Sequence, residues 1–273
     1  MSGYRDLVKH LRGLADIRAI LAGMRTLAMI ETQRLTRLRD SGQRLRAGLQ
    51  QAAQDYRAHY PDGISSTGTD VSVVIGSEKG LCGDFNEELL RYVRALPAQP
   101  TLVLVGNKLI AAAGDLPQVV ARCPGAPAAD GVAIVLAELA DTLGGLDTAR
   151  GGRLMVIAHD PELRQVSARQ VLPLPTVAAP VTGTPPRLYM SVPEFEAALV
   201  EQYLFAALTG ALQNALLAEN QQRVTHLEAA VRRLDERCAL LQQRMRKARQ
   251  EQIIEEVEVA ISISEMASGA VSP

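Results

Sequence analysis

Tryptophan is absent and aromatic residues make up 3% of the 273 positions, so burial in this chain rests on aliphatic side chains. The three cysteines, Cys82, Cys123 and Cys238, follow no ligand or disulfide spacing. That argues for a reducing compartment and against disulfides or a zinc site. The net charge of −1 implies no bulk polyanion partner, so no nucleic acid. No apolar run reaches about 18 residues, so no segment is expected to span a bilayer, and without an N-terminal signal the chain is expected to be soluble and cytoplasmic. Proline is missing from Tyr4 to Tyr60, which leaves nothing there to break a helix. The chain shows no convincing internal repeat, and its length suits one large domain or two ordinary ones.

Ala, Leu, Arg, Glu and Gln fill both ends in a heptad pattern. Near the start, Leu7, Leu14, Leu21, Ala28, Leu35, Gly42 and Leu49 share one seven-residue register. His10, Ile17, Met24, Glu31, Leu38, Leu45 and Ala52 form the companion row. Near the end, Val224, Val231, Cys238 and Met245 alternate with Leu227, Leu234, Leu241 and Ala248. A seven-residue spacing keeps one stripe against a partner helix in a left-handed supercoil. The first helix is expected over about Tyr4–Tyr60, roughly 80 Å long at about 1.5 Å per residue, stopped by Pro61, Asp62 and Gly63. The second is expected from near Pro193, capped by Ser191, past Glu258, roughly 100 Å by the same rise. Neither is stable alone over that length.

Between them, short apolar runs alternate with helical patterns. Strands are expected at Val71–Ile75, Thr101–Val105, Val119–Val120 and Leu154–Ala158, with an edge strand at Gln165–Leu172. Helices fit Asn86–Ala95, a short stretch near Leu109, and Val132–Leu143. Such alternation predicts a parallel or mixed sheet covered by helices. Pro-rich residues 173–193 link it to the second long helix. The expected fold class is α/β: two long terminal helices forming an antiparallel coiled coil, plus a Rossmann-like domain with a mixed sheet. The expected domains are 1–60, 68–186 and 191–273, the last pairing with the first.

Few residues suggest chemistry. Gly76–Gly83 (GSEKGLCG) follows a strand and precedes a helix, where phosphate loops sit. It matches neither Walker A nor GxGxxG, and a tight strand-to-helix turn is the expected reading. Cys82 within it is a reactive thiol if it lies near a helix N-terminus, and a small packed residue otherwise. His10, His59, His159 and His226 form no ligand pair. Arg34, Arg37, Arg39, Arg44 and Arg46 make either a solvated face or a basic contact surface. After Glu258 the one remaining charge is Glu265, among Val259, Ile261, Ile263 and Met266. A helix tip that loses charge is either a frayed tail or an end enclosed on all sides.

These residues carry a resemblance to the gamma subunit of F-type ATP synthases, the central rotor shaft. Gly80–Gly83 is similar to that family's GLCG turn. Lys247–Gln250 with Ile253 and Glu256 resembles its KARQ..IT.E signature, and Glu219, Arg223 and Leu227 fall where it has SE...ARM..M. Ile20–Ala28, centred on Met24, resembles its KITKAM.MVA stretch. Tyr189 and Pro193 match its tyrosine and proline before the second long helix. Leu21, Ala22, Ile254, Val259, Ile263 and Ser264 depart from the pattern and indicate a divergent branch.

The resemblance implies a non-catalytic subunit without cofactor or metal, one that couples ion-driven ring rotation to ATP synthesis or hydrolysis. Its helices would stand in a hexamer of catalytic and non-catalytic nucleotide-binding subunits. Its α/β domain would rest on the epsilon subunit and the membrane ring, peripheral on the cytoplasmic face of the inner membrane and in only indirect contact with the bilayer. It places Met24, Arg25, Arg249 and Gln250 on the shaft surface facing the catalytic subunits. Ile253, Val257, Val259, Ile261 and Ile263 form an apolar bearing, and Gly80, Cys82, Gly83 and Tyr189 make foot contacts. The competing readings are a stand-alone nucleotide-binding α/β protein with dimerisation arms, favoured by Gly76–Gly83 alone, and a dimerising coiled-coil scaffold.

Overall fold

The structure is a computed structural model that describes residues 2–60, 69–97, 100–146, 152–174 and 187–269. Side chains beyond residue 262 are not among those described. The expected stop at Pro61–Gly63, the loop that follows and most of the proline-rich link fall outside these residues. Helix α1 runs Ser2–His59 and helix α5 runs Val192–Gly269. Between them lie β1 (Val71–Ile75), α2 (Phe85–Arg94), β2 (Thr101–Val105), α3 (Asn107–Ala113), β3 (Val119–Cys123), α4 (Val132–Gly145), β4 (Leu154–Asp160) and β5 (Gln165–Leu172). The Ser191 backbone N–H donates to Glu194 Oε2 at 3.1 Å and its hydroxyl to the same oxygen at 2.7 Å. This pairing of Ser with Glu three residues on marks the start of α5.

The chain divides into two units: Met1–Thr26 with Leu227–Pro273, and Leu27–His226. The first is a pair of antiparallel helix segments. Arg18 pairs with Asp235, and Arg25 approaches Glu228 at 4.0 Å. Seven residues forward on α1 are thus seven residues back on α5. Along α5 the expected stripe holds: Leu227 and Val231 are buried, and Leu234, Cys238, Leu241, Met245 and Ala248 are half-buried among exposed neighbours. The same register brings Gln252 level with the start of α1. Gln252 is the last half-buried residue among those described, and residues 253–262 are all exposed.

The second unit is built on a five-stranded sheet ordered β3-β2-β1-β4-β5, parallel except for β5, which is antiparallel to β4 at the edge. Side chains alternate across it. Val71, Val73, Ile75, Val103, Val105, Leu154 and Val156 pack with α4, with Leu35 of α1 and with Leu208–Leu217 of α5. Val74, Leu102, Leu104 and Ile157 pack with α2, α3 and Ala218 of α5. The inner strands are buried on both faces, which is why they read as continuous β-branched runs.

The companion row of α1 differs from expectation. The first row holds, with Ala28 and Leu35 buried and Leu7, Leu14, Leu21, Gly42 and Leu49 half-buried. The second inward row, however, contains Leu11, Arg25, Thr32, Arg39, Arg46 and Ala53. Ile17, Leu38 and Leu45 of the expected row are exposed, and only Met24 and Glu31 of it are half-buried. Arginine stems cover apolar surface while their heads stay at polar partners, Glu228 for Arg25 and Glu162 for Arg39, so long basic side chains take positions that hydropathy assigns to leucine. Leu35→Ala should cost about 2–5 kcal/mol, as buried leucines do. Leu38→Ala should stay within about 0.5 kcal/mol. Urea unfolding of the two variants measures the difference.

Candidate functional site

Gly76–Gly83 leaves the C-terminal end of β1, beside the point where the strand order reverses between β1 and β4. In doubly wound sheets ligands bind outside the strand ends there. A Cβ on Gly76 would stand 2.5 Å from Leu109 Cβ and 2.7 Å from Asn86 Oδ1, so only glycine lets α3 pack this close. Asn86 accepts from the Ser77 N–H at 3.0 Å and donates to its hydroxyl at 2.8 Å. Beyond that, carboxylates fill the positions a phosphate would occupy. Glu219 of α5 accepts from the N–H groups of Glu78 and Lys79, both at 3.1 Å. Glu78 in turn accepts from the N–H groups of Asn107 at 2.9 Å and Gly125 at 2.7 Å, and from Asn107 Nδ2 at 2.6 Å.

Arg223 completes the network. It pairs with Glu219 one helical turn away, donates to Asn220 Oδ1 at 2.9 Å, and donates through Nε to the Gly80 carbonyl at 3.1 Å. Glu219, Asn220 and Arg223 are all buried. Burial pushes the Glu219 carboxyl up from the usual range, opposed by Arg223 and the two loop N–H groups. The space left beside it, lined by His159, Asp160, Arg164, Gln221 and Gln222 among others, is about 130 Å³. Small-molecule pockets typically hold roughly 300–1,000 Å³. A helix of the same chain therefore occupies this crevice, and the loop serves as a docking turn. No group of metal-ligating side chains occurs among the described residues.

Cys82 is buried under the loop, and burial pushes its thiol up to about 11. The nucleophilic thiolate is thereby suppressed. Gly80 is half-buried, and Gly83 is exposed at φ +64° with His226 Nδ1 3.3 Å from where a Cβ would stand. Leu81 between them also has positive φ, 65°, yet projects an exposed side chain. A non-glycine residue in this region costs of order 1–3 kcal/mol, and sequence reasoning missed it because the cost is conformational. Tyr189 is fully exposed. His159 is buried against Phe85, ring centroids 4.0 Å apart, with Nε2 2.8 Å from the Phe85 carbonyl.

On the long helices, Met24 and Arg25 are half-buried, while Arg249 and Gln250 are exposed. The antiparallel register separates the two pairs: Arg249 lies 21 residues beyond Glu228, the partner of Arg25, about 30 Å at roughly 1.5 Å per residue. Ile253, Ile254, Val257, Val259 and Ile261 are each more than half exposed. The Ile263 side chain lies outside the described residues.

Glu219→Ala should cost about 3–5 kcal/mol, because it strands a buried guanidinium together with two loop N–H groups. Glu219→Gln should cost less, and urea unfolding with amide exchange at residues 78–80 reads both. His159 gives a pH signature. Burial pulls it below the ordinary imidazole range, against the Phe85 carbonyl, Glu88 and Asp84. The fold holds the neutral ring while the unfolded chain takes up a proton near pH ~6.5, so this contribution is present above ~6.5 and lost as pH falls through the folded value. The urea midpoint should drop between about pH 7 and pH 5, and His159→Asn should lack the histidine part of that drop.

The family described as ATP synthase matches residues 3–271. No curated protein matches the chain. The fold is similar to a chain of the Euglena gracilis mitochondrial ATP synthase solved with OSCP, F1 and c-ring in rotational state 3. Identity is 18% and TM-score 0.65, over 100% of this chain and 97% of that one. A rotor chain of the same enzyme in rotational state 1 gives 17% and 0.60, over 92% and 99%. A central-stalk and c-ring structure of the Tetrahymena thermophila mitochondrial enzyme gives 19% and 0.59, over 77% and 99%. With the family match running from the first turn of α1 to the end of α5, this chain belongs to the gamma-subunit family of ATP synthases.

Proposed function

We propose that this chain is the central-stalk rotor of an F-type ATP synthase and couples ring rotation to the nucleotide chemistry of a surrounding hexamer. The observation that carries the reading is the end of α5. Five large apolar side chains from Ile253 to Ile261 are bare on a helix past the reach of its partner. Contiguous exposed apolar surface marks an interaction site, and a ring of other subunits enclosing the helix supplies the cover. Met24, Arg25, Arg249 and Gln250 face the catalytic subunits at two levels. Gly80, Leu81, Gly83 and Tyr189 belong to the foot, against the ring and the epsilon subunit, with Cys82 supporting the loop from beneath.

In this reading the chain supplies no acid, base or nucleophile to the chemistry. Cys82 is held as a thiol, His159 as a neutral ring, and Glu219 in an ion pair. Coupling is then a matter of differential binding: the shaft shifts the hexamer only so far as it interacts differently with its conformations. No described helix is long and apolar enough to cross a membrane, which fits a peripheral place on the cytoplasmic face of the inner membrane.

Affinity purification of the tagged full chain should recover the hexamer subunits. Ending the chain after Ala260 should uncouple ATP hydrolysis from ion pumping in the assembled complex. Unchanged hydrolysis together with unchanged pumping would sink the bearing.

A further inference from the structure

The larger unit carries positive charge that the rotor reading does not use. A groove of about 720 Å³ opens between α1, α5 and the β4–β5 hairpin. Arg39, Arg46 and Arg169 line it, and an adjoining cavity of about 130 Å³ shares Arg46 and Arg169 and adds Tyr203. The acids on the wall are engaged. Glu162 pairs with Arg39, and Asp160 Oδ1 accepts from the N–H groups of Glu162 and Leu163 at 2.8 and 3.0 Å.

Arg46 and Arg169 have no carboxylate partner among the described residues. Arg46 donates to the Arg39 carbonyl at 3.0 Å and lies 3.5 Å from Gln213 Oε1, both neutral acceptors. Burial, then the like charges of Arg39 and Arg169, pull its guanidinium below the ordinary range. No carboxylate among the described residues pairs with it.

The position is nonetheless built for this side chain. A Cβ on Gly210 would stand 2.8 Å from Arg46 Cδ, and one on Gly42 would stand 2.9 Å from its Nη1. Glycine inside a helix costs roughly 1 kcal/mol relative to alanine, and here two mid-helix glycines make room for one arginine. Asn214 Oδ1, on the same wall, is buried with no hydrogen-bond partner. Guanidinium forks match the paired oxygens of phosphate better than any other common anion-binding group.

We propose that this groove binds a phosphate-type oxyanion, either inorganic phosphate or the phosphates of a small phosphorylated compound, held between Arg46 and Arg169. The site lies on the opposite side of β4 from the filled crevice, on the face that α1 covers. It stands or falls independently of the rotor assignment.

The test is calorimetric titration of the full chain, in low-salt buffer free of phosphate and sulfate, with inorganic phosphate, pyrophosphate and ADP in turn. Saturable one-site binding is expected, tighter for pyrophosphate than for phosphate. ADP binding equal to pyrophosphate assigns recognition to the phosphates alone, and tighter binding adds the nucleoside; both support the site. Arg169→Gln, an exposed position that threatens no core, should weaken pyrophosphate about tenfold or more, the loss of one charge-assisted pair. Arg46→Lys should weaken it too, by losing the fork while keeping the charge. Arg37→Gln, exposed on α1, should change nothing. No saturable pyrophosphate binding up to millimolar concentration, or equal losses in Arg169→Gln and Arg37→Gln, would overturn the proposal.

Discussion

A carboxylate taken out of water must find partners for its charge, and Glu219 finds all of them in one loop and one arginine. Two loop N–H groups and Arg223 converge on it, and Arg223 returns a bond to the Gly80 carbonyl. Because the pair sits one turn apart on α5, that helix is tied to the C-terminal end of β1 at a definite height and rotation. Leu208–Leu217 then face one side of the sheet while Ala218 reaches the other. Buried ion pairs rarely add stability over an apolar substitute. Their value here is positional, since an apolar contact could slide by a turn and this one cannot.

The same network explains why a loop shaped like a phosphate turn need not hold one. Glu78 and Glu219 occupy between them the backbone donors of three segments, at residues 78–79, 107 and 125. A doubly wound sheet with a filled switch point can serve as a rigid body, and that suits a family whose part is to transmit rotation. The groove beyond β4 inverts the situation: there Arg46 and Arg169 have no carboxylate partner among the described residues. Arginine content alone says little, because Arg223 has a carboxylate partner and Arg46 has none among the described residues.

Much was legible in the residues. The strands at Val71–Ile75 and Thr101–Val105 fall where apolar runs and turns place them, since burial on both faces leaves an unbroken apolar signature; Gln165–Leu172 alternates more loosely because it is a largely exposed edge strand. The α5 stripe from Val224 to Ala248 holds residue for residue, because a heptad of small and branched apolar groups has one inward face. The α1 companion row was not legible in this way. Two rows flank Leu7–Leu49, and hydropathy favours the one with Ile17 and Leu45; the fold chose the one with Arg25, Arg39 and Arg46, whose long stems cover apolar surface, with carboxylates of other segments opposite Arg25 and Arg39.

The sequence by itself determined the layout of two long helices around an α/β domain and the family that shares it, since periodicity and ordered motifs are local, additive signals. Tertiary structure decided everything that depends on which distant groups meet. It set the α1–α5 register that parts Arg25 from Arg249 and leaves Ile253–Ile261 bare. It also set the docking of Glu219 under the loop, the left-handed Leu81, and the Arg46 guanidinium held by neutral acceptors. Charge and burial are properties of a neighbourhood, and in this chain those neighbours lie more than a hundred residues apart in sequence.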